Sequence, residues 1–366
     1  MKSARSVRIF TGISITTLAI SAISALAFGT VSASITKIDA FAGIDKRPDK
    51  KSSAINYLLV GSDTREGLTK AELKELRVGS VATAAGKRSD TMLLVHISKA
   101  RDKAVLVSIP RDTFALIPEH LNKTGKTVPA VHSKINSAFN WGGAPLLIQT
   151  IEEMTQLKID HYVEVNFAGF ARVVDSLGGI EVCTKKDIDD PKSHLVLPAG
   201  VHTLNGIEAL KYVRTREFDG LGDIGRMQRQ QAFMSSVLKK ATSAGVLLNP
   251  VTMTSFINSS LAAVTTDEGL KNSDLITLAK QMKSLATSNV RTLTVPLADL
   301  NYYSNGVTAA VLWDPVLAPE LWDRLREDRA VIDEVIASPS PSSTKAAKVE
   351  IVDKFKSRTA DDNICR

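Results

Sequence analysis

The sequence predicts an α/β protein, a three-layer α/β/α sandwich around a mixed central sheet, preceded by an N-terminal transmembrane helix. Three observations carry this reading. Apolar runs of strand length alternate with segments of helical periodicity. Two of those runs, "SDTMLLVHISK" and "KAVLVSIPRDT", are joined by a polar turn at 99–103 and so should form an antiparallel hairpin, which makes the sheet mixed. One uncharged stretch near the N-terminus is long enough to span a bilayer. With 366 residues, 44% of them hydrophobic, the chain can bury a full core.

The N-terminal stretch sets the compartment. "MKSARSVR" carries Lys2, Arg5 and Arg8, and no charge follows until Lys37. At ~1.5 Å per residue, Ile9–Thr36 exceeds the ~30 Å hydrocarbon core. Cations on its N-terminal flank put residues 1–8 in the cytoplasm and everything after Lys37 outside. The alternative is a cleaved signal peptide with "VSASI" around Ala33 as the site. Both readings make the folded part extracytoplasmic and exclude nucleic acid as a partner. The formal charge of +7 then points to anionic lipid or a phosphorylated substrate.

Residues 37–54 read as a polar juxtamembrane linker and 55–336 as the globular domain. Residues 337–366 are a tail that opens with the low-complexity run "ASPSPSSTKAAK". Within the domain, "INYLLVGSDTR" (55–65) is a buried strand and "KAELKELR" (70–77) a short helix. "GGAPLLIQTIEEMTQL" (142–157) and "FAGFARVVDSL" (167–177) are helices, each followed by a strand, 161–165 and 178–184. "LNGIEALKYVRTR" (204–216) reads as a helix turning into a strand. "GRMQRQQAFMSSVLKKA" (225–241) is a long helix, and 273–286 and 319–336 continue the helical pattern. Cys183 and Cys365 lack metal-ligand spacing; outside the cytoplasm they are a disulfide, or else buried thiols.

The charges gather in two places. An antiparallel hairpin brings Arg88 and Asp90, before its first strand, beside Arg111 and Asp112, after its second. A neighbouring antiparallel strand over 55–61 delivers Asp63 and Arg65 to the same edge. The stretch "KYVRTREFDGLGDIGRMQRQQ" (211–231) holds Lys211, Arg214, Arg216, Arg226 and Arg229. As a strand, 212–216 places Arg214 and Arg216 on one face, ~6.6 Å apart. On the following helix, capped by Asp223, Arg226 and Gln230 share the sector of Phe233, Val237 and Ala241 and so face inward. Guanidiniums at that separation repel by roughly 2–3 kcal/mol at an effective dielectric of about 20. They need either the acids Glu217, Asp219 and Asp223, as an internal ion-pair network, or an external anion such as pyrophosphate. Asp63 and Asp90 fit simple salt bridges, or equally a Mg²⁺ bridging phosphate oxygens. His96, His132 and His161 read as structural, and Trp141 as a helix anchor or a sugar-stacking ring.

Taken in order, "VGSDTR" (60–65), "RSDTMLLVHI" (88–97), "VSIPRDT" (107–113), "HSKINSAFNWGG" (132–143), "VNFAGFARVVDSLGGIEV" (165–182), "LNGIEALKYVRTR" (204–216) and "GDIGRMQRQQ" (222–231) resemble the LytR–CpsA–Psr family of cell-wall glycopolymer ligases. The resemblance implies a Mg²⁺-dependent, membrane-anchored transferase with its domain outside the cell. Its substrate would be a polyprenyl-pyrophosphate-linked glycan, its lipid lying in an apolar tunnel between sheet and helices. Its acceptor would be a peptidoglycan hydroxyl, which ends as a phosphodiester. Carried over, Asp63 and Asp90 become metal carboxylates, and Asp63 the first choice to deprotonate the acceptor. Arg88, Arg111, Lys134, Arg214, Arg216, Arg226 and Gln230 hold the pyrophosphate, with Arg111 and Arg216 central to catalysis. A polyprenyl-pyrophosphate hydrolase and a non-catalytic lipid-glycan binder remain the competing readings.

Overall fold

The computed structural model describes residues 35–65, 68–76, 89–122, 124–220, 222–241, 243–247, 249–271, 273–274, 287–336 and 349–359. Nearly all of the segment expected to span the membrane (9–36), and most of the helix expected at 273–286, lie outside these residues. Among the described residues no helix is long and apolar enough to cross a membrane.

The central sheet contains β1 (Thr36–Ile38), β2 (Ile55–Ser62), β3 (Ser89–Ile97), β4 (Ala104–Ile109), β5 (His161–Val165), β6 (Val264–Asp267), β7 (Val290–Thr294) and β8 (Arg358–Thr359). Their spatial order is β1-β6-β5-β2-β3-β4-β7-β8. The β2/β3 and β3/β4 pairs are antiparallel, as the connectivity requires, while β2/β5 and β4/β7 are parallel, so the sheet is mixed.

Helices cover both faces. They are α1 (Lys70–Leu76), α2 (Asn136–Thr155), α3 (Phe167–Ser176), α4 (Gly206–Tyr212), α5 (Gly222–Ala241), α6 (Ala244–Leu247), α7 (Pro250–Ala263) and α8 (Leu317–Arg326). The period of two divides the strands cleanly. Leu58, Val60, Met92, Leu94, Val105 and Val107 pack with Leu147, Ile148 and Ile151 of α2 and Trp322 of α8. The alternate residues Leu59, Thr91, Leu93, Leu106 and Ser108 line a cavity on the opposite face. A second core joins Val174, Leu210, Tyr212 and Phe233 from α3, α4 and α5.

Several elements depart from the sequence reading. The helix expected from 142 begins at Asn136 and breaks at Gly143, which takes φ 67° ahead of Pro145. Trp141 stacks on His120 (centroids 5.4 Å apart, 11° between planes) and packs against the first core. The strand Ile180–Thr184 pairs with Gly200–Leu204 in a separate ribbon. Residues 213–216 are not a strand: Arg214 and Thr215 donate main-chain N–H bonds to the carbonyls of Lys211 and Tyr212, at 3.1 and 3.2 Å, closing a turn. The helix expected over 319–336 stops at Arg326. Asp328 adopts φ 55° while its carboxylate takes the His96 ring (3.1 Å) and the Lys99 N–H (3.1 Å), so a tertiary contact overrides the helical periodicity.

Both flanks drawn from composition are built into the fold. In the 37–54 linker, β1 pairs in parallel with β6, and Arg47 binds buried Glu152 through two nitrogens, at 2.6 and 3.0 Å. Polar composition hid these specific pairings. In the 337–366 tail, Val349–Val352 pairs with Asp333–Ile336, and β8 extends the central sheet.

Gly206 marks the tightest packing near the second core. A Cβ there would fall on the backbone of Ala171 in α3. Gly206→Ala should therefore lower stability by about 1–3 kcal/mol in chemical denaturation, and a neutral result would refute that close approach.

Candidate functional site: a cationic rim on an apolar cavity

A cavity of about 490 Å³ lies between the sheet and the helices α3 and α5. Its apolar walls come from Leu59, Leu93 and Leu106 on the sheet and from Phe167, Phe170, Leu210, Phe233 and Met234 on the helices. Towards the edge where β2 and β4 end, the lining turns polar: Ser62, Arg111, Lys192, Arg214, Arg216, Arg226 and Gln230. Cations from four chain segments thus share one hollow with a greasy lining.

Local structure fixes each of them. Arg111 follows β4 and Pro110; its carbonyl accepts the N–H of Asn136 at 3.1 Å, and its Nε donates to Asp112 at 3.4 Å. The other Asp112 oxygen meets Lys134 Nζ at 3.3 Å. Arg214 lies over the Phe167 ring, 5.2 Å from its centroid. Arg226, in the first turns of α5, is 3% exposed. Gln230 donates to the Val213 carbonyl at 3.1 Å. Its neighbour Gln231 bonds Ser108 and Thr294 (2.9 and 3.0 Å), fastening α5 to β4 and β7.

The cations of 211–231 divide into two sets, so both sequence alternatives hold in part. Arg229 is ion-paired with Asp219, donates to the Thr215 carbonyl at 2.6 Å and lies 4.7 Å from the Phe218 centroid. Lys211 pairs with Glu75 at 3.4 Å. These two serve the fold, whereas Arg214, Arg216 and Arg226 line the cavity.

Asp190 holds the rim together, and the sequence reading missed it. It is 0% exposed, and its carboxylate accepts N–H bonds from Lys192 (3.0 Å), Ser193 (2.7 Å), Glu217 (2.8 Å) and Arg216. Burial alone would raise its pKa, but the N–H groups of Glu217, Arg216 and Ser193 outweigh it and bring the carboxyl from 3.8 down to about 2. One side chain thereby ties the 190–193 turn, which carries Lys192, to the segment that carries Arg216. Lys192 in turn pairs with Glu217. The signal available in sequence was the turn former "DDPKSH".

Of the residues singled out from sequence, Arg111, Arg214, Arg216, Arg226 and Gln230 come together around the cavity. Lys134 stands one step back, joined to the rim through Asp112. Asp63 follows directly on Ser62, a lining residue. Asp90 occupies a bulge: Gly61 pairs with Thr91 and Ser62 with Ser89, leaving Asp90 as the extra residue at the cavity edge. Its side chain, that of Asp223, and all of Arg88 lie outside the described residues. Cys183 is disulfide-bonded, and the chain's other cysteine, Cys365, lies outside them too.

The model of the LytR_cpsA_psr family matches residues 26–319. The chain belongs to this family. Among the LytR_cpsA_psr relatives, the probable cell wall biosynthesis protein LcpB of Corynebacterium glutamicum is 37% identical over 275 residues, covering 75% of this chain and 62% of LcpB. The polyisoprenyl-teichoic acid–peptidoglycan teichoic acid transferase TagT of Bacillus subtilis is 35% identical over 204 residues, 54% of this chain and 56% of TagT. The chain thus spans less than two thirds of either curated relative. A solved structure of TagT bound to LIIa-WTA superposes with a TM-score of 0.54 at 25% identity, over 79% of this chain and 98% of that one.

Proposed function

We propose that this LytR_cpsA_psr protein is a phosphotransferase acting at the outer face of the cell membrane. It moves a glycan phosphate from a polyprenyl-pyrophosphate carrier to a peptidoglycan hydroxyl. The observation that carries the reading is one cavity joining five cationic side chains to an apolar lining, the two chemistries that a prenyl pyrophosphate combines. TagT's name assigns that relative a polyisoprenyl-linked donor and a peptidoglycan acceptor.

In the step proposed, the acceptor oxygen forms a bond to the glycan-bearing phosphorus and the bond from that phosphorus to the bridging oxygen breaks. Polyprenyl phosphate leaves with the electron pair, and the hydroxyl proton passes to Asp63 or solvent. Such transfer needs positioning and neutralisation of spread charge more than covalent help. Arg111, Arg214, Arg216 and Arg226 offer planar forks to phosphate oxygens, each contact worth about 1.5–3 kcal/mol. Mg²⁺ is the proposed cofactor. The oxygen donors Asp63 and Asp90, placed by chain and bulge at the polar edge of the cavity, suit that hard cation, which would neutralise phosphate charge when bound.

The test is the full chain in membranes with labelled lipid-linked glycan, Mg²⁺ and peptidoglycan. Label fixed in the wall is the expected result. Soluble phosphorylated glycan would instead mean hydrolysis, and intact donor would mean binding alone. Filling the apolar lining gives an independent check. Met234→Trp should weaken binding of a long-chain polyprenyl phosphate at least tenfold and leave inorganic pyrophosphate binding as it was; equal loss of both would remove the lipid from that space.

A further inference from the structure

Beside the cationic rim runs a ring-lined surface outside the site described above. Residues Phe114–Ile117 pair antiparallel with Val131–Lys134, Phe114 opposite Lys134 and Leu116 opposite His132. Alternation turns Ala115 and Ile117 into the core and leaves Phe114, Leu116, His132 and Lys134 on the outer face. There His132 stacks on Phe114 (centroids 4.9 Å apart, 12° between planes), and Tyr302 meets the same ring edge-on (5.1 Å, 74°). The Asn305 amide approaches His132 Nδ1 at 3.4 Å, and Leu116 is 46% exposed.

This surface is continuous with the rim. At its inner end Lys134 meets Asp112 at 3.3 Å, and Asp112 also accepts from the cavity-lining Arg111 at 3.4 Å. The ribbon of Leu297–Ser304 and Val307–Trp313, which supplies Tyr302, is fastened at the same point. Val311 donates its N–H to the Asp112 carbonyl at 2.8 Å, and the Trp313 indole N–H donates to Thr113 Oγ1 at 3.1 Å.

We infer that this strip is a glycan-binding surface that lays the acceptor sugar chain against the rim. A pyranose has an apolar C–H face and a girdle of hydroxyls. Partly exposed rings with polar tips interleaved among them (His132, Tyr302, Asn305) match both parts. A protein or bilayer partner would call for an unbroken apolar patch instead. From Asp112 to Leu116 the strand runs ~13 Å at ~3.3 Å per residue, the span of a short oligosaccharide leading away from Arg111. The name "acceptor" rests on the transfer proposed above; the affinity for glycan does not.

Calorimetry on the full chain with a β-1,4-linked N-acetylglucosamine tetrasaccharide, and separately with inorganic pyrophosphate, tests this. The double variant His132→Leu with Tyr302→Leu should weaken tetrasaccharide binding at least tenfold and leave pyrophosphate binding unchanged. Leu116→Asp, at an exposed position that spares the fold, should do the same. Arg216→Ala should show the converse, losing pyrophosphate and keeping the sugar. No tetrasaccharide binding by the unmodified protein, or binding indifferent to both strip variants, overturns the inference. Failed transfer with sugar binding intact would strike the ligase reading alone.

Discussion

Arg216→Ala should reduce glycan transfer by two to four orders of magnitude, about 3–5 kcal/mol of transition-state stabilisation, while the thermal midpoint stays within about 2 °C of the parent. The reason for the separation is in the contacts. Asp190 holds the main-chain N–H of Arg216, not its guanidinium, so truncating the side chain leaves the structural bond in place and removes only a cation from the rim. Arg111→Ala should behave alike, because its fold contact with Asn136 is also through the backbone. The single-turnover rate with lipid-linked donor, read beside a melting curve, decides it. Full activity would exclude Arg216 from the chemistry, and a collapse in stability with activity would return the cluster to a structural ion-pair network.

Asp190→Asn should show the opposite pattern, with folding stability falling by about 2–4 kcal/mol and transfer falling with it. A neutral amide presents one acceptor oxygen where the carboxylate presented two, so N–H groups among those of Lys192, Ser193, Arg216 and Glu217 lose their partner. The pH dependence follows from the depressed carboxyl. Lowering its pKa from 3.8 unfolded to about 2 folded contributes about 2 kcal/mol of stability. That contribution is complete above the unfolded value and disappears as pH falls through the folded one. The parent should therefore lose stability between about pH 4 and pH 2, and the Asn variant should lack that part of the acid limb. Urea titrations from pH 6 to pH 2 would show it; parallel curves would mean that Asp190 carries no such linkage.

The sheet was legible in the sequence because β2, β3 and β4 keep apolar residues on both faces, and a hairpin dictates who pairs with whom. The rim was legible too: arginines at fixed offsets within 211–231 signalled either an anion site or a charge network, and the structure contains both. The errors share one cause. Residues 213–216 alternate in burial as a strand would, yet they form a turn. Asp190, more than twenty residues earlier, draws in the N–H groups of Arg216 and Glu217 there. Similarly Asp328 ends α8 because it bonds to His96 and Lys99 of another element. Long-range side-chain-to-backbone bonds leave no periodicity to read. The aromatic strip was invisible for a related reason: Phe114, His132 and Tyr302 meet only through the packing of two ribbons that nothing local connects.

The first residues of the described chain enter the fold as a sheet strand, not as a leash. Thr36–Ile38 lies along β6, and the Lys37 ammonium donates to Thr266 Oγ1 at 2.8 Å and to the Leu270 carbonyl. Arg47 then rivets the following stretch to Glu152. Whatever grips the polypeptide upstream of residue 35 therefore steers the whole sandwich as a crank steers its shaft. The opening where the arginines gather is borne at a set height and tilt, without the swivel that a slack tether would allow.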